Sequence, residues 1–450
     1  MALTGIEIYK FLPKTNCKKC NFPTCLAFAM KVAQKTVDVS VCPDLSPESK
    51  AALEAAGRPP IRLVTIGPDA KKVEVGNETV LFRHEKTFFH PPALMVRIKD
   101  NEPLESIEKT VAEVSSYSVE RVGIDMAPNG FAIDNLSKDA GTFAKVAASV
   151  AGKSELPLVL MSTDPAAMEA ALEKVGGNRP LIYGANAENW EKMAQLAAKY
   201  KCALAVIGKD GLDSLSELTE KITKAGVEDL VLAPNTANLS DSINTLTQLR
   251  RLAFKKAFKP LGYPVITFPG AASKSVEEEA ILAAQQIGKY AGIIVLDHFT
   301  PALFYPLLTL RLNIYTDPQK HIQVTSAIYP IGSPKETSPV CVTTNFSLTY
   351  FSVAGELESS GFPAWLLVCD TEGLSVLTAW AAGKFDAERI AKAVKTLNLA
   401  EKISHQKIIL PGKVAVLRGE LEDELKGWDI MIGPPEAMDI GSYLKQMWKN

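Results

Sequence analysis

The sequence predicts an α/β protein in three parts: a small cysteine-rich N-terminal domain, a central (β/α)8 barrel and a C-terminal Rossmann-like α/β domain. Three observations predict it. Four of the seven cysteines crowd into residues 17–42. Eight short apolar strand candidates then alternate with stretches of helical period, the pattern of a closed barrel. Four further strands follow, each running into a loop of small or polar residues. An open doubly wound sheet would give the same alternation in the middle segment; the count of eight favours the barrel.

Residues 1–60 hold the cysteines and two helical stretches and end in Ala55-Ala56-Gly57-Arg58-Pro59-Pro60, where Gly and Pro break the helix. Residues 61–92 read as a strand-rich linker, Ile61–Gly67 and Thr79–Phe82, with His84 and His90 flanking Phe88 and Phe89 and packed on the barrel. The barrel spans 93–325. Its strand candidates are Leu94–Ile98, Val122–Met126, Leu158–Met161, Leu181–Gly184, Ala203–Ile207, Leu230–Ala233, Pro264–Phe268 and Ile293–Leu296. The last domain, 326–450, begins after Tyr315-Thr316-Asp317-Pro318 and an irregular stretch around Ile331-Gly332-Ser333-Pro334, and carries strands Val340–Thr343, Ala364–Cys369, Lys407–Leu410 and Ile430–Ile432. The Pro/Gly junctions near Arg58 and Ile331 are the expected hinges.

With 47% hydrophobic and 22% charged residues the composition is that of an ordinary globular protein, and a formal charge of −2 gives no pull toward nucleic acid or anionic membrane. No signal-type segment opens the chain and every apolar run is short, so a cytoplasmic location is expected. Cys202, Cys341 and Cys369 each sit alone in apolar runs and read as buried free thiols.

Cys17, Cys20, Cys25 and Cys42 have the spacing C-x2-C-x4-C-x16-C-P. Four thiolates suit zinc or an iron-sulfur cluster. Structural zinc usually takes two paired knuckles, whereas the second half has one cysteine after a helical excursion, which favours iron-sulfur. Pro23 and Pro43 stiffen the backbone beside Cys25 and Cys42. Seven lysines against four acids in residues 1–50 would offset the charge of a thiolate-bound cluster and favour an acidic electron donor. A disulfide staple conflicts with a cytoplasmic location.

The C-terminal loops are Thr344-Asn345-Phe346-Ser347, Asp370-Thr371-Glu372-Gly373, Pro411-Gly412-Lys413 and Gly433-Pro434-Pro435-Glu436. Ligands of α/β sheets bind outside the carboxyl ends of strands, so this domain looks built to hold something large. None of the loops is a phosphate-binding glycine loop. In the barrel, Asp125 and Asn129 are expected after the second strand and Asp297-His298 after the eighth, at the face where barrel enzymes place catalytic groups; a cap or loop hydrogen bond is the commoner role, and no catalysis is assigned.

The opening Leu3-Thr4-Gly5-Ile6-Glu7-Ile8-Tyr9-Lys10, the cysteine run through Phe22-Pro23-Thr24-Cys25-Leu26-Ala27-Phe28-Ala29, and the stretches Thr343–Tyr350 and Asp370–Ala379 resemble the large (gamma) subunit of the corrinoid iron-sulfur protein of the reductive acetyl-CoA (Wood-Ljungdahl) pathway. The order of domains matches along the whole chain. The resemblance implies a methyl carrier in carbon fixation: corrinoid cobalt(I) accepts a methyl group from methyltetrahydrofolate on a separate methyltransferase and passes it to the nickel centre of acetyl-CoA synthase/CO dehydrogenase. A 4Fe-4S cluster restores cobalt(I) from cobalt(II). The implied partners are a small subunit, itself a barrel, in a heterodimer, and an electron donor such as ferredoxin.

Carried onto this sequence, the resemblance makes Cys17, Cys20, Cys25 and Cys42 the cluster ligands. The implied corrinoid contacts are Thr343, Thr344, Phe346, Thr349 and Tyr350; Thr371, Gly373, Leu374, Ser375, Val376, Leu377 and Thr378; Gly412; and Gly433, Ala437 and Met438. Hydroxyls and loop amides near apolar side chains suit a corrin ring with its rim of amides, although without the resemblance Thr371–Gly373 reads as a helix cap. The Asp-x-His-x-x-Gly loop of many corrinoid proteins is absent, and His405, the single histidine of the last domain, lies at a strand entry. Cobalt is therefore expected to lack a protein nitrogen ligand, which makes cobalt(I) easier to reach. The rival readings are an iron-sulfur electron-transfer protein with a different organic cofactor, a barrel that itself binds a pterin, and a zinc-stapled scaffold.

Overall fold

The computed structural model describes residues 4–33, 36–50, 53, 59–82, 88, 90–316 and 321–448. The helix break at 55–58, His84, Phe89 and the Asp317-Pro318 junction lie outside the described residues. Two compact units emerge: residues 1–119 with 127–315, and residues 120–126 with 316–450.

At the N-terminus, Thr4 and Glu7 form a reciprocal capping box that starts helix Gly5–Phe11, which packs against helix Cys25–Ala33. Strands β1 (Val64–Ile66) and β2 (Val73–Val75) form an antiparallel hairpin. The second strand expected in the linker, Thr79–Phe82, does not form; Glu78 makes an isolated bridge to Ile61 instead. Its chain is held by Arg250, a fully buried guanidinium that pairs with Glu78, donates to the carbonyls of Val80 and Leu81, and sits over the rings of Phe88, Phe254 and Tyr290. The side chains therefore supply the linker's attachment.

The barrel strands are β3 (Ala93–Lys99), β6 (Gly130–Asp134), β7 (Leu158–Met161), β8 (Leu181–Ala185), β9 (Leu204–Gly208), β10 (Leu230–Pro234), β11 (Ile266–Thr267) and β12 (Ile293–Leu296). All pair in parallel in the order β10-β9-β8-β7-β6-β3-β12-β11. A bridge between Leu232 and Val265, with Leu232 N–H donating to the Pro264 carbonyl at 2.8 Å, joins the two ends into a nearly closed barrel. Interior Ala93, Met95, Val159, Leu181, Val231 and Val295 pack with Val64, Ile66 and Val75 of the β1–β2 hairpin.

One expected strand is displaced. The second barrel strand is Gly130–Asp134, not Val122–Met126. The latter region forms a small hairpin of β4 (Val119–Arg121) and β5 (Ile124–Met126), turning on Val122 and Gly123, both at positive φ. Positive φ at two successive central residues defines the tight hairpin turn. The true strand opens on Gly130, where a Cβ would lie 2.2 Å from the Pro157 carbonyl oxygen, so a small residue is required at a position that apolar pattern reading passes over.

In the second unit, β13 (Ile328–Ile331), β14 (Val340–Thr344), β15 (Ala364–Cys369), β16 (Lys407–Leu410) and β17 (Asp429–Ile432) form an open sheet ordered β13-β15-β14-β16-β17. Only β13 is antiparallel. It lies in the stretch expected to be irregular, and its Pro330 is tolerated because the strand is an edge. Ile331 is thus a strand end paired with Ala364. Alternate residues enter two cores: Val340, Val342 and Leu367 face one way with helices Ala387–Thr396 and Arg418–Glu424, and Cys341, Leu366 and Val368 face helices Ser347–Ser360 and Ile440–Met447. Both faces of the sheet are therefore covered, as parallel strands require.

Candidate functional site

Four thiols gather at the N-terminus. Cys20, Cys25 and Cys42 are buried in one cluster with Ile8, Leu12 and Phe28, and Cys17 is half-buried beside them. The loop that carries the first three turns through left-handed residues, Lys14, Asn16, Lys18 and Asn21. Asn16 Oδ1 accepts the Cys25 N–H at 2.8 Å, fixing the point where loop becomes helix. Cys25 opens helix Cys25–Ala33. Burial first, then the neighbouring Cys20, Cys25 and Cys17, hold the Cys42 thiol above its ordinary range. Lys19 pairs with Asp44 at 2.9 Å, and Lys19 and then Cys17 hold the Asp44 carboxyl low. Among the described residues no three His, Cys, Asp or Glu side chains converge as ligands of a single ion would.

The second site is a cavity of about 350 Å³ at the carboxyl edge of the C-terminal sheet. Thr343, Leu348 and Thr349 line it from the end of β14 and the helix that follows. Ser375, Val376 and Leu377 line it beyond β15, Pro411 and Lys413 beyond β16, and Gly433 to Ala437 beyond β17. β14 lies between β15 and β16, which leave it in opposite directions along the sheet, so this is the crevice where open α/β sheets bind ligands. The hydroxyls of Thr343, Thr344 and Ser347 are buried without a hydrogen-bond partner. Buried hydroxyls normally find partners; of the three, that of Thr343 belongs to a residue lining the cavity, where a polar ligand could satisfy it. Lys413 and Glu436 close an ion pair of 2.7 Å on the cavity wall.

A family model for an Fe-S cluster segment matches residues 12–43, and the model of the CO dehydrogenase/acetyl-CoA synthase delta subunit matches residues 63–444. The large subunit of the corrinoid/iron-sulfur protein of Moorella thermoacetica is 45% identical over 445 residues, 99% of each chain. The chain belongs to this family. Gamma subunits of the acetyl-CoA decarbonylase/synthase complex from Methanothermobacter thermautotrophicus and Methanopyrus kandleri are 35% and 36% identical over 99% of this chain, and over 99% and 98% of their own.

Against that family frame, the residues expected to touch corrinoid divide into groups. Thr343, Thr349, Ser375, Val376, Leu377, Gly433 and Ala437 line the cavity. Thr344 lies beside it with its unpartnered hydroxyl. Met438 is 72% exposed, and Thr378 is exposed with its hydroxyl 3.0 Å from that of Ser375. Gly412 backs onto the Gly433 carbonyl, 2.5 Å from where a Cβ would be. Thr371, Gly373 and Leu374 serve the loop itself: Thr371 is fully buried and bonded to Asn345 and to the Leu374 carbonyl, Gly373 sits at φ +75° against Gln323, and Leu374 packs on the core. Tyr350 stacks on Tyr329 and Phe351, and Phe346 on His321. Asn345, Lys413 and Glu436 lie in the loops expected at the strand ends without having been singled out as contacts, and Tyr443 lies outside those loops. Asn345 immediately follows a strand, the one local signal that could have marked it.

Other expectations are corrected. His405 is not the only histidine of the C-terminal unit, because residues 321–325 fold with it and bring His321 against Phe346. His405 itself is engaged near the opposite, amino edge, with Nε2 2.9 Å from the Ser338 carbonyl. Asp125 lies in the β4–β5 hairpin, and Asn129 precedes β6, its Oδ1 accepting the Leu94 N–H at 3.0 Å and a hydrogen bond from Arg311. Neither stands at the carboxyl face of the barrel. Asp297 and His298 do: Asp297 pairs with Arg97 at 3.1 Å, and His298 Nδ1 lies 2.7 Å from Glu279, a fully buried carboxylate.

Proposed function

We propose that this chain is the methyl-carrying large subunit of a corrinoid/iron-sulfur protein in acetyl-CoA synthesis. On this reading Cys17, Cys20, Cys25 and Cys42 hold a 4Fe-4S cluster, and the loops beyond β14, β15, β16 and β17 hold a corrinoid. The observation that carries it is the pairing, in one chain, of four gathered cysteines, three of them buried, with a cavity at the strand ends whose lining includes the unpartnered hydroxyl of Thr343. The donors fit the groups: thiols held by a preformed loop suit a cluster, and hydroxyls beside Val376 and Leu377 suit an amide-rimmed ring. When bound, the corrinoid would supply a cobalt centre for methyl transfer from methyltetrahydrofolate on a separate methyltransferase to the nickel centre of acetyl-CoA synthase, and the cluster held by the four cysteines would supply the electron that returns cobalt(II) to cobalt(I).

The chain's own residues do the rest. Thr343, Thr349 and Ser375, which line the cavity, offer hydroxyls to the ring's amides, while Leu348 and Leu377, about half exposed, offer an apolar bed. His405 is committed to a backbone carbonyl, in keeping with cobalt unligated by protein nitrogen. Lysines 14 and 18, on left-handed turns beside the cysteines, face an acidic electron donor such as ferredoxin. A small subunit in a heterodimer, the methyltransferase and acetyl-CoA synthase/CO dehydrogenase are the other partners. Among the described residues no helix is long and apolar enough to cross a membrane.

Metal analysis of the purified chain with its small subunit tests the proposal. Iron and cobalt together are expected, with the absorbance of both groups. Iron without cobalt would point to an electron-transfer protein, and zinc alone to a scaffold.

A further inference from the structure

The barrel carries a second prepared site. At its carboxyl mouth Arg97 bridges two carboxylates, Asp134 through Oδ2 and Asp297 at 3.1 Å. One guanidinium balances one carboxylate, so the trio keeps a net negative charge in a half-buried place. Asp134 Oδ1 accepts no hydrogen bond from the described residues. Beside it a cavity of about 340 Å³ opens, lined by Asp134, Asn135, Lys138, Met161, Ser162, Thr163, Asp164 and Tyr183, with Asp164 Oδ1 already taken by the Ala166 N–H at 3.0 Å.

The walls are built to stay put. β8 carries a bulge at Gly184, where a Cβ would lie 2.1 Å from the Ser162 carbonyl oxygen; the bulge aims Tyr183 into the mouth, its ring edge-on to Phe268 at 5.0 Å. Bulges of this kind re-aim side chains at barrel rims. Asn189 Nδ2 donates to the carbonyls of Thr163 and Gly184, tying the neighbouring loops. The loop after β6 is pinned by buried Asp100, which accepts the Ser137 N–H at 2.7 Å and its hydroxyl at 2.6 Å, and by Asn135, which donates to Ser162. That loop places Lys138 on a left-handed backbone, φ 55°, without an ion-pair partner among the described residues. The Tyr183 hydroxyl likewise has no hydrogen-bond partner among them. Burial, then Asp134, pushes its pKa up to about 12, so it stays a neutral phenol at physiological pH, with an oxygen lone pair able to accept from an ammonium N–H.

An unspent carboxylate oxygen, an unspent phenol, an apolar floor at Met161 and a lysine at the rim describe a ligand with a positive head, a short apolar stem and a negative tail. We infer that the barrel mouth binds a small zwitterion, its ammonium or amidinium group on Asp134 and Tyr183 and its carboxylate on Lys138. The barrel would then be a ligand-sensing module of the carrier, separate from both the thiol nest and the C-terminal cavity.

Titration calorimetry on the full-length chain tests this with L-lysine, 4-aminobutyrate, butylamine and butyrate as probes. Saturable binding of at least one zwitterion is expected, weakened about tenfold by Tyr183→Phe, which removes only the hydroxyl. Lys138→Ala should weaken the zwitterion and leave butylamine unchanged. Asp134→Asn should abolish both, with circular dichroism reporting whether the fold persists. Equal affinity of Tyr183→Phe and the unmodified chain, tighter binding of butyrate than of butylamine, or no heat with any probe would overturn the assignment.

Discussion

Asn345 Oδ1 accepts both the backbone N–H and the hydroxyl of Thr371, at 3.0 and 2.9 Å, and so ties the end of β14 to the loop after β15. The same oxygen takes the Gly373 N–H at 3.0 Å, while Nδ2 donates to Gln323 and Asp370. All five bonds belong to a side chain that is 3% exposed. Asn345→Ala strands buried donors that each cost about 1–3 kcal/mol, and the C-terminal unit is expected to unfold at lower denaturant while the barrel transition stays in place. Asn345→Asp keeps the acceptor but sets a second carboxylate beside Asp370. It should fall between the two, and guanidinium titrations followed by tryptophan fluorescence would rank the three.

Cys42→Ala should lower bound iron and abolish reductive reactivation while cobalt still binds, since the thiols and the C-terminal cavity belong to different units. Elemental analysis of the variant decides it. Parallel loss of both metals would show that the two sites are not independent.

Neither His321→Ala nor His405→Ala should alter axial nitrogen coupling in the cobalt(II) paramagnetic resonance spectrum. His321 is the more demanding case, because it stands by Phe346 on the loop side of the sheet. A nitrogen coupling lost in either variant would reverse the proposal that protein nitrogen leaves the cobalt unligated.

Arg250→Ala removes the cation that balances Glu78, whose side chain is only 11% exposed. Breaking a buried pair by deleting one partner costs about 3–5 kcal/mol. The linker should detach before the barrel unfolds, and proteolysis within residues 78–90 should accelerate. An unchanged cleavage rate would mean that the three aromatic rings, not the charge, hold the segment.

The alternation of strand and helix made the barrel legible because each unit is local and its core-facing residues repeat. It misled at Val122–Met126, where apolar residues surround a turn set by backbone dihedrals at Val122 and Gly123, while the real strand hides behind Gly130 and Ala132. The gathering of Cys17, Cys20, Cys25 and Cys42 was legible for the same local reason. The C-terminal cavity was legible as strand-end loops, but Asn345, the Lys413–Glu436 pair and the strap from His321 to Val324 depend on contacts between segments far apart in sequence. Side-chain pairing of that kind leaves no periodic trace.

The β4–β5 hairpin has a consequence for modularity. Residues 120–126 fold with 316–450, with Gly123 against the ring of Phe351 and Glu120 adding the least of the causes, after burial, Tyr329 and Glu358, that raise the pKa of Tyr350. The polypeptide therefore passes between units three times, at 119/120, 126/127 and 315/316. A fragment cut at residue 316 is an incomplete object, with an aromatic ring bared where the hairpin belongs. Transplanting this unit onto another scaffold requires two inserted segments in register, so recombination that shuffles contiguous stretches of a gene cannot move it intact.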